Sequence, residues 1–106
     1  MENIAHLLDK QPKLRDMLVR IGEIASHHKK EVYPVGGIVR DLLEEREIKE
    51  VDLMVIGDGI DFAKILAEKF GVSKIVPFHR FSTAHIPLRP IPIEVAAARQ
   101  ETYSDD

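Results

Sequence analysis

Val35-Gly36-Gly37-Ile38-Val39-Arg40-Asp41-Leu42-Leu43 and, after a short polar stretch, Glu50-Val51-Asp52-Leu53-Met54-Val55-Ile56 decide how the rest of the chain is arranged. Val32 to Val35 reads as a short strand leading in. Pro34 has no N–H, which confines that strand to an edge or a non-bonded position. The Gly-Gly pair supplies a tight turn. Residues 38–45 then repeat at helical spacing, with Ile38, Val39, Leu42 and Leu43 on one face and Arg40, Asp41, Glu44 and Glu45 on the other. From Val51 the period changes to two. Val51, Leu53 and Val55 share one face, while Glu50, Asp52, Met54 and Ile56 share the opposite one.

Upstream, Pro12 suits a first helical turn, and Leu14, Met17, Leu18, Ile21, Ile24 and Ala25 form one apolar stripe. His27, His28, Lys29 and Lys30 close that helix, where cations favour the negative end of its dipole. A short helical turn is expected over residues 2–9, around Ile4, Leu7 and Leu8. Downstream, Gly57-Asp58-Gly59 ends the strand and Asp58 caps a helix carrying Phe62, Ala63, Leu66, Ala67 and Phe70, which Gly71 stops. Ser73 to Phe78 and Ser82 to Leu88 are expected to pair as a hairpin around His79-Arg80-Phe81. Leu88-Arg89-Pro90 reads as a turn, and Ile91 to Ala97 as a last strand with Glu94 opposite Ile91, Ile93 and Val95. Helix, strand, helix, strand, helix and three strands make an α+β domain: a mixed sheet of about five strands with helices mainly on one face.

Composition narrows the function classes. The chain has 106 residues, one small domain by size, with 44% hydrophobic and 31% charged residues, ordinary values for a globular protein. It has no cysteine, which excludes a disulfide framework, thiolate metal sites and a cysteine nucleophile. Net charge is -3 with histidines neutral. Stand-alone RNA binders carry a basic balance, so any grip on RNA comes mostly from outside these residues. There is no apolar run long enough to span a bilayer and no basic stretch leading into an apolar one at Met-Glu-Asn-Ile; a cytoplasmic protein that does not bind membranes is expected.

Three acids carry the chemistry. Glu50 and Asp52 point the same way from one strand, roughly 7 Å apart along the backbone. Glu94 lies on another strand, again opposite its apolar neighbours. If those strands are adjacent, the three carboxylates gather on one surface and repel each other unless a cation neutralises them. Hard oxygen ligands suit magnesium. Taken singly, each acid reads as a solvent-facing strand carboxylate. Strand, Gly36-Gly37 and helix leave backbone N–H groups free at the helix start, where phosphate is favoured, and Arg40 one turn in can hold a phosphate oxygen bidentately. Asp41 would repel phosphate and reads as a partner for Arg40 or a nearby backbone group. A bare Gly-Gly is also an ordinary junction. His79 and Arg80 read as a solvated bend. His27 and His28 point about 100° apart on a helix and do not share a metal easily; isolated His6 and His85 carry no site of their own.

Together the motifs resemble the tRNA nucleotidyltransferase (CCA-adding) and bacterial poly(A) polymerase family. The resemblance rests on Val35-Gly36-Gly37-Ile38-Val39-Arg40-Asp41-Leu42-Leu43 followed by Glu50-Val51-Asp52-Leu53. It extends through Ile56-Gly57-Asp58-Gly59 with Phe62-Ala63, Phe81-Ser82-Thr83-Ala84, Ile93-Glu94-Val95-Ala96-Ala97-Ala98-Arg99 and Glu101-Thr102-Tyr103. The resemblance implies a DNA polymerase beta-type palm. It places magnesium at Glu50, Asp52 and Glu94 and the incoming ATP or CTP at Gly36, Gly37 and Arg40. The reaction implied is transfer of a nucleoside monophosphate to an RNA, in particular tRNA, 3′-hydroxyl.

Two departures bear on activity. Glu50 stands where the family has aspartate, adding about 1.5 Å of reach in a site with little tolerance for it. The family's nucleotide-gripping Arg-Arg-Asp-x-Thr-x-Asn segment, its base-selecting neck and its RNA-binding helical domains are not in these residues. Residues 1–106 are therefore expected to be one catalytic head that works with a missing C-terminal part or partner chain and, with apolar surface uncovered, tends to self-associate. The rival expectations are a nucleotide- or protein-binding module that has lost catalysis, and a folding core with no function of its own.

Overall fold

The structure is a computed structural model and describes residues 8–98. Most of the turn expected over residues 2–9, and the polar stretch from Arg99 to Asp106, lie outside it. The elements are α1 (Pro12–His27), β1 (Val32–Val35), α2 (Ile38–Leu43), β2 (Val51–Val55), α3 (Gly59–Lys69), β3 (Val76–Phe78), a 3₁₀ turn (His79–Phe81), β4 (Thr83–Ile86) and β5 (Ile93–Ala97). The strands form one sheet in the order β1-β2-β5-β4-β3. β2 and β5 run parallel, and every other pair is antiparallel.

The period-two pattern of the strands sorts the sheet into two faces. Val51, Leu53 and Val55 of β2, Ile93 and Val95 of β5, and Ala84 and Ile86 of β4 are buried, all at 2% exposure or less. The stripe of α1 (Leu14, Met17, Ile21, Ile24, Ala25) and that of α3 (Phe62, Ala63, Leu66, Ala67) join them in one core. Helices therefore cover one face, and the alternate residues of each strand form the other, which no described helix covers. Phe62 is fully buried at the centre of this core. Arg20 of α1 ties the two long helices together: its guanidinium sits 4.6 Å from the centre of the Phe70 ring and donates to the Lys69 carbonyl.

The three helices named above end alike. Lys29, Glu45 and Gly71 follow their C-caps in the left-handed region, at φ 57°, 58° and 76°. The next residue donates back five positions: Lys30 to Ala25 at 2.8 Å, Arg46 to Asp41 at 2.8 Å and Val72 to Ala67 at 2.8 Å. These paired bonds satisfy the last free carbonyls. Only the third helix uses glycine for the left-handed residue. At the other end of α3, Asp58 caps by accepting from the Ile60 and Asp61 N–H groups at 2.9 and 3.1 Å.

Several expected boundaries shift for physical reasons. α2 stops at Leu43 rather than 45 because Glu45 turns left-handed. Only Ile38 and Leu42 of its expected apolar face are buried; Val39 and Leu43, one position further around the helix, are 43% and 49% exposed. β3 begins at Val76 instead of Ser73; in the β3–β4 register Lys74 would fall opposite Pro87, which has no N–H to donate, so the ladder does not extend back to Ser73. β5 begins at Ile93 rather than Ile91, because Pro92 has no N–H to donate, although its carbonyl accepts from Val51 at 3.0 Å. Pro34 and Pro77 both fall on edge strands, where a missing donor is tolerated.

Candidate active site

On the open face the register lines up one row across the whole sheet. Val35 pairs with Asp52, Asp52 with Glu94, Glu94 with His85, and His85 with Val76. Two acids and a histidine thus stand side by side on β2, β5 and β4, fenced by valines on the edge strands. The next row is Tyr33, Met54, Ala96, Thr83 and Phe78, and it is largely apolar. Glu50 lies just before β2 and keeps the strand's alternation. Its carboxyl is pushed above the usual range, first by desolvation and then by the charges of Asp52 and Glu94, with His85 acting the other way. Glu50, Asp52 and Glu94 therefore feel one another.

The carboxylates do not meet at one point in this structure. Among the described residues no three acidic or histidine side chains are closed around a common position. Coulombic repulsion reaches further than a ligating distance, which reconciles the two observations. Glu94 is also engaged elsewhere: its Oε2 is 3.0 Å from His85 Nδ1, with both side chains about one-third exposed (29% and 32%). An oxygen-only set of mutually repelling acids, half open to solvent, fits a hard divalent cation such as magnesium.

The glycine turn abuts this row. Gly36 has φ 76°, and a Cβ there would lie 2.9 Å from Asp52 Oδ2. Gly37 precedes the first residue of α2, and a Cβ on it would lie 2.7 Å from Arg40 Nη2. The turn, Arg40 and Asp52 thus share one small region; the left-handed Gly36 beside Asp52 requires glycine, whereas at Gly37 the exposed Arg40 side chain can swing aside. Arg40 Nε is 3.5 Å from Asp41 Oδ1, an ion pair without a hydrogen bond, so the guanidinium remains mostly exposed while Asp41 is half-buried. Asp41 is thereby the partner of Arg40 expected from the sequence.

Other sequence candidates stay apart. His79, Arg80 and Phe81 form the exposed turn between β3 and β4, with Arg80 5.5 Å from the Phe81 ring centre. His27 and His28 pack edge to face with ring centres 5.2 Å apart. Two concavities lie away from the acid row. One runs between Lys13, Lys49 and Pro90, and the other between α1 and the Pro34 side of β1. No described helix is long and apolar enough to cross a membrane. His85 is the residue that sequence reasoning missed. Its signal was present, since buried Ala84 and Ile86 flank it and force it onto the face that carries Glu94.

Known proteins share this architecture. A CCA-adding enzyme solved in complex with ATP superposes with a TM-score of 0.82 at 31% identity, covering 93% of this chain and 24% of that one. A Thermotoga maritima CCA-adding enzyme complexed with tRNA gives 0.83 at 29% identity, covering 98% and 26%. The five-stranded mixed sheet with helices on one face is a polymerase-beta-type head. In sequence, the Poly A polymerase head domain model matches residues 32–106, and the chain belongs to that family. It is 46% identical over 71 residues to an A-adding tRNA nucleotidyltransferase of Aquifex aeolicus and 34% identical over 103 residues to one of Geobacter sulfurreducens. These matches cover 67% and 94% of this chain but only 8% and 12% of the relatives' lengths.

Proposed function

We propose that this chain is the catalytic head of a metal-dependent RNA nucleotidyltransferase, which transfers AMP or CMP from ATP or CTP to an RNA 3′ end, most directly that of tRNA. The observation that carries this reading is the register of Asp52 beside Glu94, with Gly36 packed against the Asp52 carboxylate. Glu50, Asp52 and Glu94 would hold magnesium, and the N–H groups of the Gly36-Gly37 turn together with Arg40 would hold the nucleotide phosphates. The metal, when bound, supplies charge neutralisation and activation of the attacking hydroxyl. In the reaction the RNA 3′-oxygen bonds to the α-phosphorus, the bond to pyrophosphate breaks, and the hydroxyl proton is released. The residues of this head position the triphosphate and fix where negative charge is tolerated. Selecting the base and gripping RNA fall to protein beyond this head. The exposed Val39, Leu43, Val76, Phe78 and Phe81 support contact with such further protein.

Glu50 favours a second reading, a nucleotide-binding module with weakened catalysis, since its longer side chain stands at the first acid position. Titration of the chain with ATP, with and without magnesium, separates the readings. Weak binding that requires magnesium and disappears in Asp52→Ala is expected, with no nucleotide added to tRNA by the chain alone. Binding indifferent to both magnesium and Asp52→Ala supports the module and contradicts the catalytic head.

A further inference from the structure

His85 is the one residue in the polar part of the central row that neither the acid set nor the phosphate cradle uses. It stands opposite Glu94 in the β4–β5 register, as Asp52 does in the β2–β5 register. Glu94 is therefore flanked by a like charge on one side and an imidazole on the other. An ionised carboxylate only accepts, so the 3.0 Å contact is a hydrogen bond donated by His85 Nδ1–H to Glu94 Oε2. Buried Ala84 and Ile86 on either side pin the backbone of His85, and hence the start of that side chain, to the sheet.

We propose that His85 is a positioning residue for Glu94: its Nδ1–H holds Oε2 on the β4 side of the row and leaves Oε1 to face Asp52 and a divalent cation. This rests on the metal-dependent reading above and deepens it. Without the donor, Glu94 would gain rotamer freedom, and repulsion from Asp52 and Glu50 would favour carboxylate positions turned toward solvent. A cation would then have to recover that ordering on binding. Partners of this kind, which orient a ligand without touching the metal, typically change metal affinity by about 10–100-fold.

The test is Mn²⁺ titration of the 106-residue chain, followed by electron paramagnetic resonance of free Mn²⁺, on wild type and three variants. His85→Val keeps a strand-forming side chain and removes the donor. His85→Asn places an amide N–H near the position of Nδ1. Asp52→Ala removes a ligand. The proposal expects about tenfold weaker Mn²⁺ binding in His85→Val, near-wild-type binding in His85→Asn, and loss in Asp52→Ala. Unchanged or tighter binding in His85→Val, with Asp52→Ala still losing the metal, overturns the positioning role alone. Equal weakening in His85→Val and His85→Asn also overturns it, because the hydrogen bond would not be the cause. Absence of Mn²⁺ binding in the wild type contradicts the metal reading itself and the positioning role with it.

Discussion

Gly36→Ala and Gly71→Ala make a matched pair, because both glycines sit at φ 76° while their surroundings differ. A left-handed backbone costs an alanine roughly 1–2 kcal/mol at either position. For a domain of this size each kcal/mol lowers the melting midpoint by about 4–8 °C, so both variants are expected to melt roughly 4–16 °C below wild type. At Gly71 nothing lies within 4 Å of the added methyl, and the effect ends there. At Gly36 the methyl lies 2.9 Å from Asp52 Oδ2, and the carboxylate has to move by some tenths of an ångström. Metal–ligand distances in a formed site hold to within about 0.2 Å, so a carboxylate pushed aside has further to travel when the acids close on a cation. Mn²⁺ affinity is therefore expected to fall by about tenfold in Gly36→Ala and to stay at the wild-type value in Gly71→Ala. Thermal melts by circular dichroism and Mn²⁺ titration by electron paramagnetic resonance read the two effects separately. Wild-type Mn²⁺ affinity in Gly36→Ala, or an equal loss in both variants, would refute the reasoning that the turn shapes the acid site.

Four further outcomes follow from the geometry. Lys29→Gly, which replaces a left-handed lysine after α1, is expected to raise stability by about 1 kcal/mol in urea unfolding. Asp58→Ala removes the α3 cap and is expected to cost about 1 kcal/mol at pH 7. The Asp58 carboxyl is held below its usual range, mainly by the Asp61 N–H, so its contribution is present above the ordinary aspartate range. The gap between variant and wild type should close as pH falls through the lowered folded value, which denaturant melts across pH will show. Glu50 has the opposite sign: its carboxyl is raised by slight desolvation, then by the charges of Asp52 and Glu94, so ionising it opposes folding. In the absence of metal, Glu50→Gln is expected to stabilise at pH 7 by no more than about 0.5 kcal/mol, because solvent screens the repulsion at this exposed side chain, and to give no gain at low pH. Phe62→Ala empties the centre of the core and is expected to cost about 3–5 kcal/mol, visible as loss of a cooperative melt.

Much of this arrangement is written locally in the chain. The change of period at Val51, the Asp58 cap and the Gly71 stop each depend on a few neighbouring residues, and each appears where local chemistry puts it. Strand order is different in kind. That β5 inserts between β2 and β4, putting Glu94 next to Asp52, depends on pairing across more than forty residues of chain (94 minus 52), and no local pattern encodes it. The resemblance to a known family, rather than periodicity, anticipated that neighbourhood. His85 was hidden for the same reason. As a lone histidine it carries no motif, and its meaning arises only once the β4–β5 register sets it against Glu94. Val39 and Leu43 show the converse limit: only the Ile38 and Leu42 row of this six-residue helix meets the core, and spacing alone does not say which of two adjacent apolar rows turns to solvent.

Replacing the matching head segment of the Aquifex aeolicus relative with residues 32–98 of this chain, and assaying the folded chimera by primer extension on tRNA with each of the four nucleotides, tests the catalytic reading most directly. Nucleotide addition that falls at least about a hundredfold in Asp52→Ala and in Glu94→Ala is the expected result. A folded chimera that adds nothing, or one that adds nucleotide equally well without either carboxylate, contradicts it.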